Sequence, residues 1–131
     1  MLKIKTTIGP SKTHGIGLFA DQFIPKGMVT WQYDQDYDTS FSPEQIDSLS
    51  SINKIQFLKY GYYDYKLEKF ILCSDDQRVI NHSSHNYNVD STPEKDVANR
   101  DIKPGEELLC NYESYEPGWF EKRHLNKESF N

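Results

Sequence analysis

The residues whose types and spacing suit chemistry fall in two stretches, Arg78-Val79-Ile80-Asn81-His82-Ser83 and Gly105-Glu106-Glu107-Leu108-Leu109-Cys110-Asn111-Tyr112. The first is a short β-branched run that stops at three compact polar residues, as when a strand hands over to a loop bearing polar groups. The second follows the turn signal Lys103-Pro104-Gly105 and alternates apolar and polar positions, so it reads as a strand that delivers Tyr112. A site is expected where the two meet. Cys73, His82, His85 and Cys110 are suitable metal ligands by type but contain no close-spaced pair of the zinc-site kind. Ser83 or Ser84 with a histidine lacks the nucleophile elbow of a hydrolase.

Upstream lies Gly15-Ile16-Gly17. Two glycines flanking one residue permit positive φ and close approach of backbone to a ligand, although taken alone they also suit a tight turn before a strand Leu18 to Ala20. Tyr33 ends a strand, Met28 to Tyr33, where an ordinary packing aromatic would serve equally well.

Gly15 to Ala20, Tyr33, Arg78 to Ser83 and Ala98 to Tyr112, taken in that order, resemble the SET-domain protein-lysine methyltransferases. The resemblance implies a mainly β fold of small twisted sheets with one principal helix and a knot-like C-terminal crossing that sets Tyr112 beside Asn81. It implies S-adenosyl-L-methionine as cofactor, held by Gly15, Ile16, Gly17, Asn81 and His82 with Arg78 in support. Tyr112 is then the catalytic tyrosine, and Tyr33 lines the lysine channel with it. Cys110 occupies the position that governs how many methyl groups fit, and Trp119 or Phe120 covers the adenine. The implied substrate is a lysine in a protein, with a basic or histone-like protein suiting the acidic chain. A catalytically inactive module that keeps the SET fold to bind protein or cofactor is the alternative.

Three positions depart from the family pattern. Ser84-His85-Asn86-Tyr87-Asn88 replaces cysteine-x-proline-asparagine, so no family residue carries over to Asn86 or Asn88. Asn111 replaces an aspartate, and Cys110 replaces a Phe or Tyr, which suggests a roomier pocket. Two cysteines cannot build the zinc clusters that flank many eukaryotic members, so the chain looks like a minimal, stand-alone bacterial or viral type.

Methyl transfer to an amine needs alignment, a dry channel and a neutral nucleophile. Lysine has a pKa of about 10.4, so roughly one in a few thousand is neutral at pH 7. A desolvated channel beside a sulfonium lowers that pKa by burial and like charge, without a dedicated carboxylate base.

Composition narrows the remaining choices. At 131 residues the chain fits one domain, 1–131, with 113–131 as a C-terminal segment covering the site. Fifteen basic and 20 acidic residues give a net charge of -5, which disfavours direct nucleic-acid binding and favours basic partners. Cys73 and Cys110 show no pairing pattern, and the opening residues lack the apolar block of a signal peptide. A cytoplasmic or other reducing compartment with no membrane span is expected.

The positioning elements follow from periodicity and turns. Leu2 to Ile8 reads as a strand ended by Gly9-Pro10-Ser11, and Asp34 to Asp38 as a solvated acidic loop whose spacing resembles the start of an EF-hand before failing at Thr39 and Gln45. Ser42-Pro43-Glu44-Gln45 opens a helix expected to run to Tyr60 and stop at Gly61. Its stripe of Ile46, Leu49, Ile52, Ile55 and Leu58 marks it as scaffold without chemistry. A hairpin of Tyr62 to Tyr65 and Lys69 to Cys73 follows, and Trp119 and Phe120 are expected to be buried.

Overall fold

The computed structural model describes residues 1–127, so the last four positions of the expected C-terminal segment lie outside it. Strands β1 (Thr6–Pro10) and β2 (Ile16–Ala20) form an antiparallel hairpin in register from Thr6↔Ala20 to Pro10↔Ile16. The first strand thus begins later than the Leu2 to Ile8 reading and includes Gly9 and Pro10. Proline is tolerated because β1 pairs only with β2 and needs no second ladder. Leu2 instead bridges Trp31, and the reversal comes at Ser11, whose Oγ accepts from Thr13 N and His14 N.

The principal sheet has the order β3 (Val29–Gln32), β9 (Lys95–Ala98), β8 (Val89–Ser91), β10 (Leu109–Cys110), β7 (Asn81–His82). Leu18, Ile24, Val89, Ala98, Ile102 and Leu108 pack into its core almost without exposure. The second sheet joins β4 (Thr39–Phe41), β6 (Lys69–Leu72) and β5 (Tyr62–Asp64), with Trp31, Tyr62, Ile71 and Cys73 as a smaller core. The mainly β architecture of small sheets is therefore as the sequence indicates, and the β5–β6 hairpin falls where expected.

The long helix is two helices, α1 (Pro43–Asp47) and α2 (Ser51–Tyr60). The Ser42–Gln45 capping box forms at 2.8 and 3.2 Å. The break has a local cause: Ser48 Oγ donates back to Gln45 O at 2.7 Å, and Ser50 caps a new start through Asn53 N at 3.2 Å. A stripe counted across that break has no single face, so Ile52 and Ile55 are 72% and 66% exposed while Phe57 is buried. Gly61 ends α2 as expected, but at φ -93°, so its need for glycine is steric: a Cβ there would stand 2.8 Å from Phe57 Cε1 and 3.0 Å from Ile71 O.

Two further expectations change near the site. Arg78 does not extend a strand; Asp76–Val79 is a 3₁₀ turn capped by the Asp75 carboxylate on Gln77 N, and only Asn81 and His82 enter the sheet. Tyr112 does not end a strand but begins the single-turn helix α3 (Tyr112–Tyr115), because Asn111 accepts from Glu113 N at 3.1 Å and caps it. A last turn, α4 (Trp119–Lys122), follows. In the acidic loop, Asp36 is exposed, but Asp38 is buried and accepts from Asp34 N and Ser74 N at 3.0 and 3.1 Å, so it closes the loop rather than facing water. No helix among the described residues is long and apolar enough to cross a membrane.

Candidate active site

The site begins with a crossing. Strand β10 lies between β7 and β8 and runs parallel to both, with Leu109↔Asn81, Cys110↔His82 and Cys110↔Val89 as partners. Those two strands are the ends of one loop, residues 83–88, so the C-terminal segment passes beneath it. Ser83 N and Asn88 N donate to Cys110 O and Leu109 O at 3.0 Å, one from each side of the loop. Asn88 completes the lock: Oδ1 accepts from Leu109 N and Nδ2 donates to Glu107 O, both at 2.9 Å. Sequence reading gave Asn88 no role. Its signal was a second asparagine after Asn81-His82-Ser83, obscured by the altered intervening residues.

Asn81 ties a second segment to this crossing. Its Nδ2 gathers His14 O and Ile16 O at 2.9 Å and Glu107 Oε1 at 3.0 Å, so the Gly15 loop, β7 and the segment before β10 converge on one amide. The glycines answer to this convergence. Gly15 takes φ +54°, and a Cβ at Gly17 would stand 2.2 Å from Glu107 Oε1.

Tyr112 follows directly. Its N–H donates to His82 Nδ1 at 3.1 Å and its hydroxyl to Ile80 O at 2.6 Å, which fixes the ring at both ends. An Nδ1 that accepts leaves the proton on Nε2, facing Ser84 Oγ at 2.9 Å, so His82 is neutral. Burial, helped by the Lys127 charge, lowers its pKa to about 4. Burial likewise pushes the Tyr112 phenol well above its ordinary range, so the residue is a neutral hydrogen-bonding group.

Two cavities meet at this tyrosine. A groove of about 580 Å³ is bordered by Gly15, Ile16, Arg78, Asn81, Tyr112 and Trp119, and a narrow channel of about 40 Å³ is bordered by Cys110, Tyr112, Trp31 and Asp96. Lys59, Tyr60, Arg78, Ile80, Tyr112 and Trp119 belong to both, so they form a shared wall. Of the sequence-assigned residues, Gly17 stands behind Asn81, while His82 and Phe120 are buried behind Tyr112, with ring centroids 4.8 Å apart. Tyr33 borders neither cavity and packs against the Trp31 core. Helix α2, read as scaffold, contributes Ile55, Leu58, Lys59 and Tyr60 to the groove, which gives one of its exposed isoleucines a place.

The wall carrying Trp119 is clamped by a buried ion pair. Arg123 meets both Glu116 oxygens at 3.0 and 3.1 Å, and its remaining N–H groups donate to Leu58 O, Gly61 O and Trp119 O. Its guanidinium lies 4.2 Å from the Trp119 ring centroid, and Glu116 also accepts from Tyr63 N. Every guanidinium donor is used, so the α4 segment is held to the end of α2.

A family model described as the SET domain matches residues 15–113. No curated protein sequence matches the chain. Among solved structures, a Plasmodium falciparum protein described as a candidate histone methyltransferase is 20% identical with a TM-score of 0.61, covering 85% of this chain and 95% of that one. The Chaetomium thermophilum polycomb repressive complex 2 with H3K27me3 and H3K27M is 24% identical with a TM-score of 0.62, covering 83% of this chain and 14% of the other. The same complex in an autoinhibited conformation bound to S-adenosylmethionine is 24% identical with a TM-score of 0.64, covering 91% and 16%. The chain thus spans about a sixth or less of the Chaetomium chains it matches, and at these identities the likeness concerns the fold. The family match runs from the glycine loop to the residue after Tyr112, across the loop crossing that builds the site, and the chain belongs to the SET-domain family.

Proposed function

We propose that this protein transfers a methyl group from S-adenosyl-L-methionine to the side-chain amine of a lysine in a protein. The observation that carries this reading is the shared wall: one half-buried tyrosine stands between a groove large enough for a nucleoside cofactor and a channel narrow enough for an alkyl amine.

The groove fits the cofactor in its donor set. The Gly15 loop and Asn81 offer close backbone and amide contacts, Trp119 borders the groove with an aromatic ring for a purine, and His82 acts from behind by holding Tyr112. The Arg78 guanidinium has no side-chain partner among the described residues and suits a carboxylate. S-adenosyl-L-methionine, when bound, supplies an electrophilic methyl on a sulfonium. The protein's part is positioning: Tyr112 stays neutral, holds Ile80 O, and lines the channel beside Trp119 and Tyr115, whose rings lie 4.6 and 5.9 Å from its own. The buried channel excludes water and disfavours an ammonium, which favours the nucleophilic free amine. A net charge of -5 suits a basic, histone-like substrate.

The deciding experiment is a calorimetric titration with S-adenosyl-L-methionine and with its demethylated product, on the native protein and on Asn81→Ala, followed by mass spectrometry of mixed histones incubated with enzyme and cofactor. Saturable binding weakened by the substitution, with lysine methylation of a histone, supports the reading. A folded protein that binds neither form defeats it. Binding without transfer favours the non-catalytic module, a reading that the replacement of the usual aspartate by Asn111 keeps open.

A further inference from the structure

The lining of the narrow channel holds a group that positioning alone does not require. Asp96, from β9, is 3% exposed and borders the channel with Tyr112, Cys110, Trp31 and Gln77. Its Oδ2 accepts from Gln77 Nε2 at 2.5 Å, and no Lys or Arg side chain pairs with it among the described residues. One buried polar atom on the same channel is also unmatched: Trp31 Nε1 has no hydrogen-bond partner, while Ser91 Oγ lies close enough to the carboxyl to favour its charged form. A buried carboxylate with so few donors is costly unless a cation joins it. The space beside it, about 40 Å³, holds a few water-sized groups at about 10–15 Å³ each, which is enough for an alkylammonium terminus.

We infer that Asp96 receives the ε-ammonium of the incoming lysine and accepts its proton. The inference rests on the proposed lysine methylation and adds to it a named destination for the proton. One N–H bond of the ammonium breaks, its electron pair stays on nitrogen as the free amine, and the proton forms an O–H bond on Asp96. A cation and an anion become two neutral groups, a change that a dry cavity favours. The acid returns its proton to solvent before the next cycle.

The surroundings leave this carboxyl as the group free to change charge. Cys73, just after β6, Cys110, at the end of β10, and Tyr62, Tyr112 and Tyr115 are all pushed up by burial and stay neutral. Gln77, Ser91 and Trp31 do not titrate, Arg78 and Lys59 are cations bordering the same channel without pairing with Asp96, and the amino terminus acts on Asp96 through space. Burial raises the Asp96 pKa to about 7, against the opposing pull of Ser91, Gln77 and the amino terminus.

The test follows the Asp96 carboxyl by carbon NMR in the full chain labelled at aspartate, assigned by its loss in Asp96→Asn, with n-butylammonium as the lysine mimic. Its titration midpoint is expected to fall by about one unit at saturating n-butylammonium, the effect of an opposite charge in contact. An unmoved midpoint overturns the inference. In the kinetic arm, with mixed histones as acceptor, the native rate falls below the Asp96 midpoint. Asp96→Asn loses at least about tenfold at pH 7, recovers as pH rises toward the lysine pKa of about 10.4, and binds cofactor normally. A folded Asp96→Asn protein with the native pH profile overturns it. If that variant does not fold, Gln77→Met substitutes: removing the donor moves both midpoint and acid limb to higher pH, and an unmoved limb overturns the role. A protein that methylates no histone yet shows the n-butylammonium shift defeats the methyl-transfer reading and leaves the ammonium site. Methylation without the shift defeats only Asp96.

Discussion

Tyr112 does two jobs through one hydroxyl and one backbone N–H. Removing the hydroxyl by Tyr112→Phe leaves Ile80 O unpaired at a cost of about 1–2 kcal/mol, while the N–H bond to His82 and the ring packing persist. The variant is expected to fold, to bind S-adenosyl-L-methionine as the native protein does in calorimetry, and to lose at least about a hundredfold in methyl transfer. Transfer within a factor of two of native would remove Tyr112 from the centre. Asn88 acts on a different quantity. It satisfies one donor and one acceptor of the threading segment, so Asn88→Ala is expected to lose about 2–4 kcal/mol in chemical denaturation. A loss below about 0.5 kcal/mol would mean that the crossing holds without it.

At the scale of elements, the wall of the groove depends on a contact between distant parts of the chain. Arg123 bonds Leu58 and Gly61 at the end of α2 and Glu116 before α4, and the two charged side chains are only 5% and 2% exposed. Arg123→Met keeps much of the stem but strands the Glu116 carboxylate, with an expected loss of about 3–5 kcal/mol. The double variant Arg123→Met with Glu116→Gln is expected to recover part of it. Denaturant melts of the three proteins check this, and a single variant as stable as native would show that the pair holds nothing. This contact also shows where sequence reading stops. The Ser42 capping box, the β5–β6 hairpin and the Asn-His-Ser stretch were legible because each is written within a few residues. The break in the long helix was legible only in part, since Ser48 and Ser50 are compatible with a helix until their side chains choose the backbone. The Arg123–Glu116 clamp, the buried Asp38 and the Asn88 lock were not, because each joins residues that no local window contains. Tyr33 illustrates the converse: family likeness implies a place in the channel, whereas Tyr33, the residue after β3, packs against the Trp31 core.

For the whole molecule, two buried groups set opposing responses to pH. His82 titrates at about 4 in the folded chain against an ordinary 6.5, so the unfolded chain binds more protons and stability is lost as pH falls through that window. Asp96 titrates at about 7 against 3.8, so the folded chain binds more protons and stability is lost as pH rises from about 4 to about 7. The native melting temperature should therefore vary little between pH 4.5 and 8. Asp96→Asn removes the second response. It is expected to be more stable than native by about 2–4 kcal/mol at pH 8, with the gain vanishing near pH 4. Thermal melts at pH 4.5, 6 and 8 check the sign, and a variant less stable at pH 8 would mean that a cation holds the carboxylate. Under the proposed methyl transfer, a destabilising carboxyl kept beside Tyr112 trades stability for activity.

The passage of β10 beneath residues 83–88 also orders events in time. The loop precedes the strand by some twenty positions, so during synthesis it emerges first and has nothing to close on. Leu109 to Tyr112 must then arrive, slip between two strands that are not yet a sheet, and be locked by Asn88. Neither the groove nor the channel exists before that step, because both count Tyr112 among their walls. A nascent chain therefore has neither cavity until the crossing has formed. Refolding is expected to wait on this non-local closure, which local helix or hairpin formation does not supply.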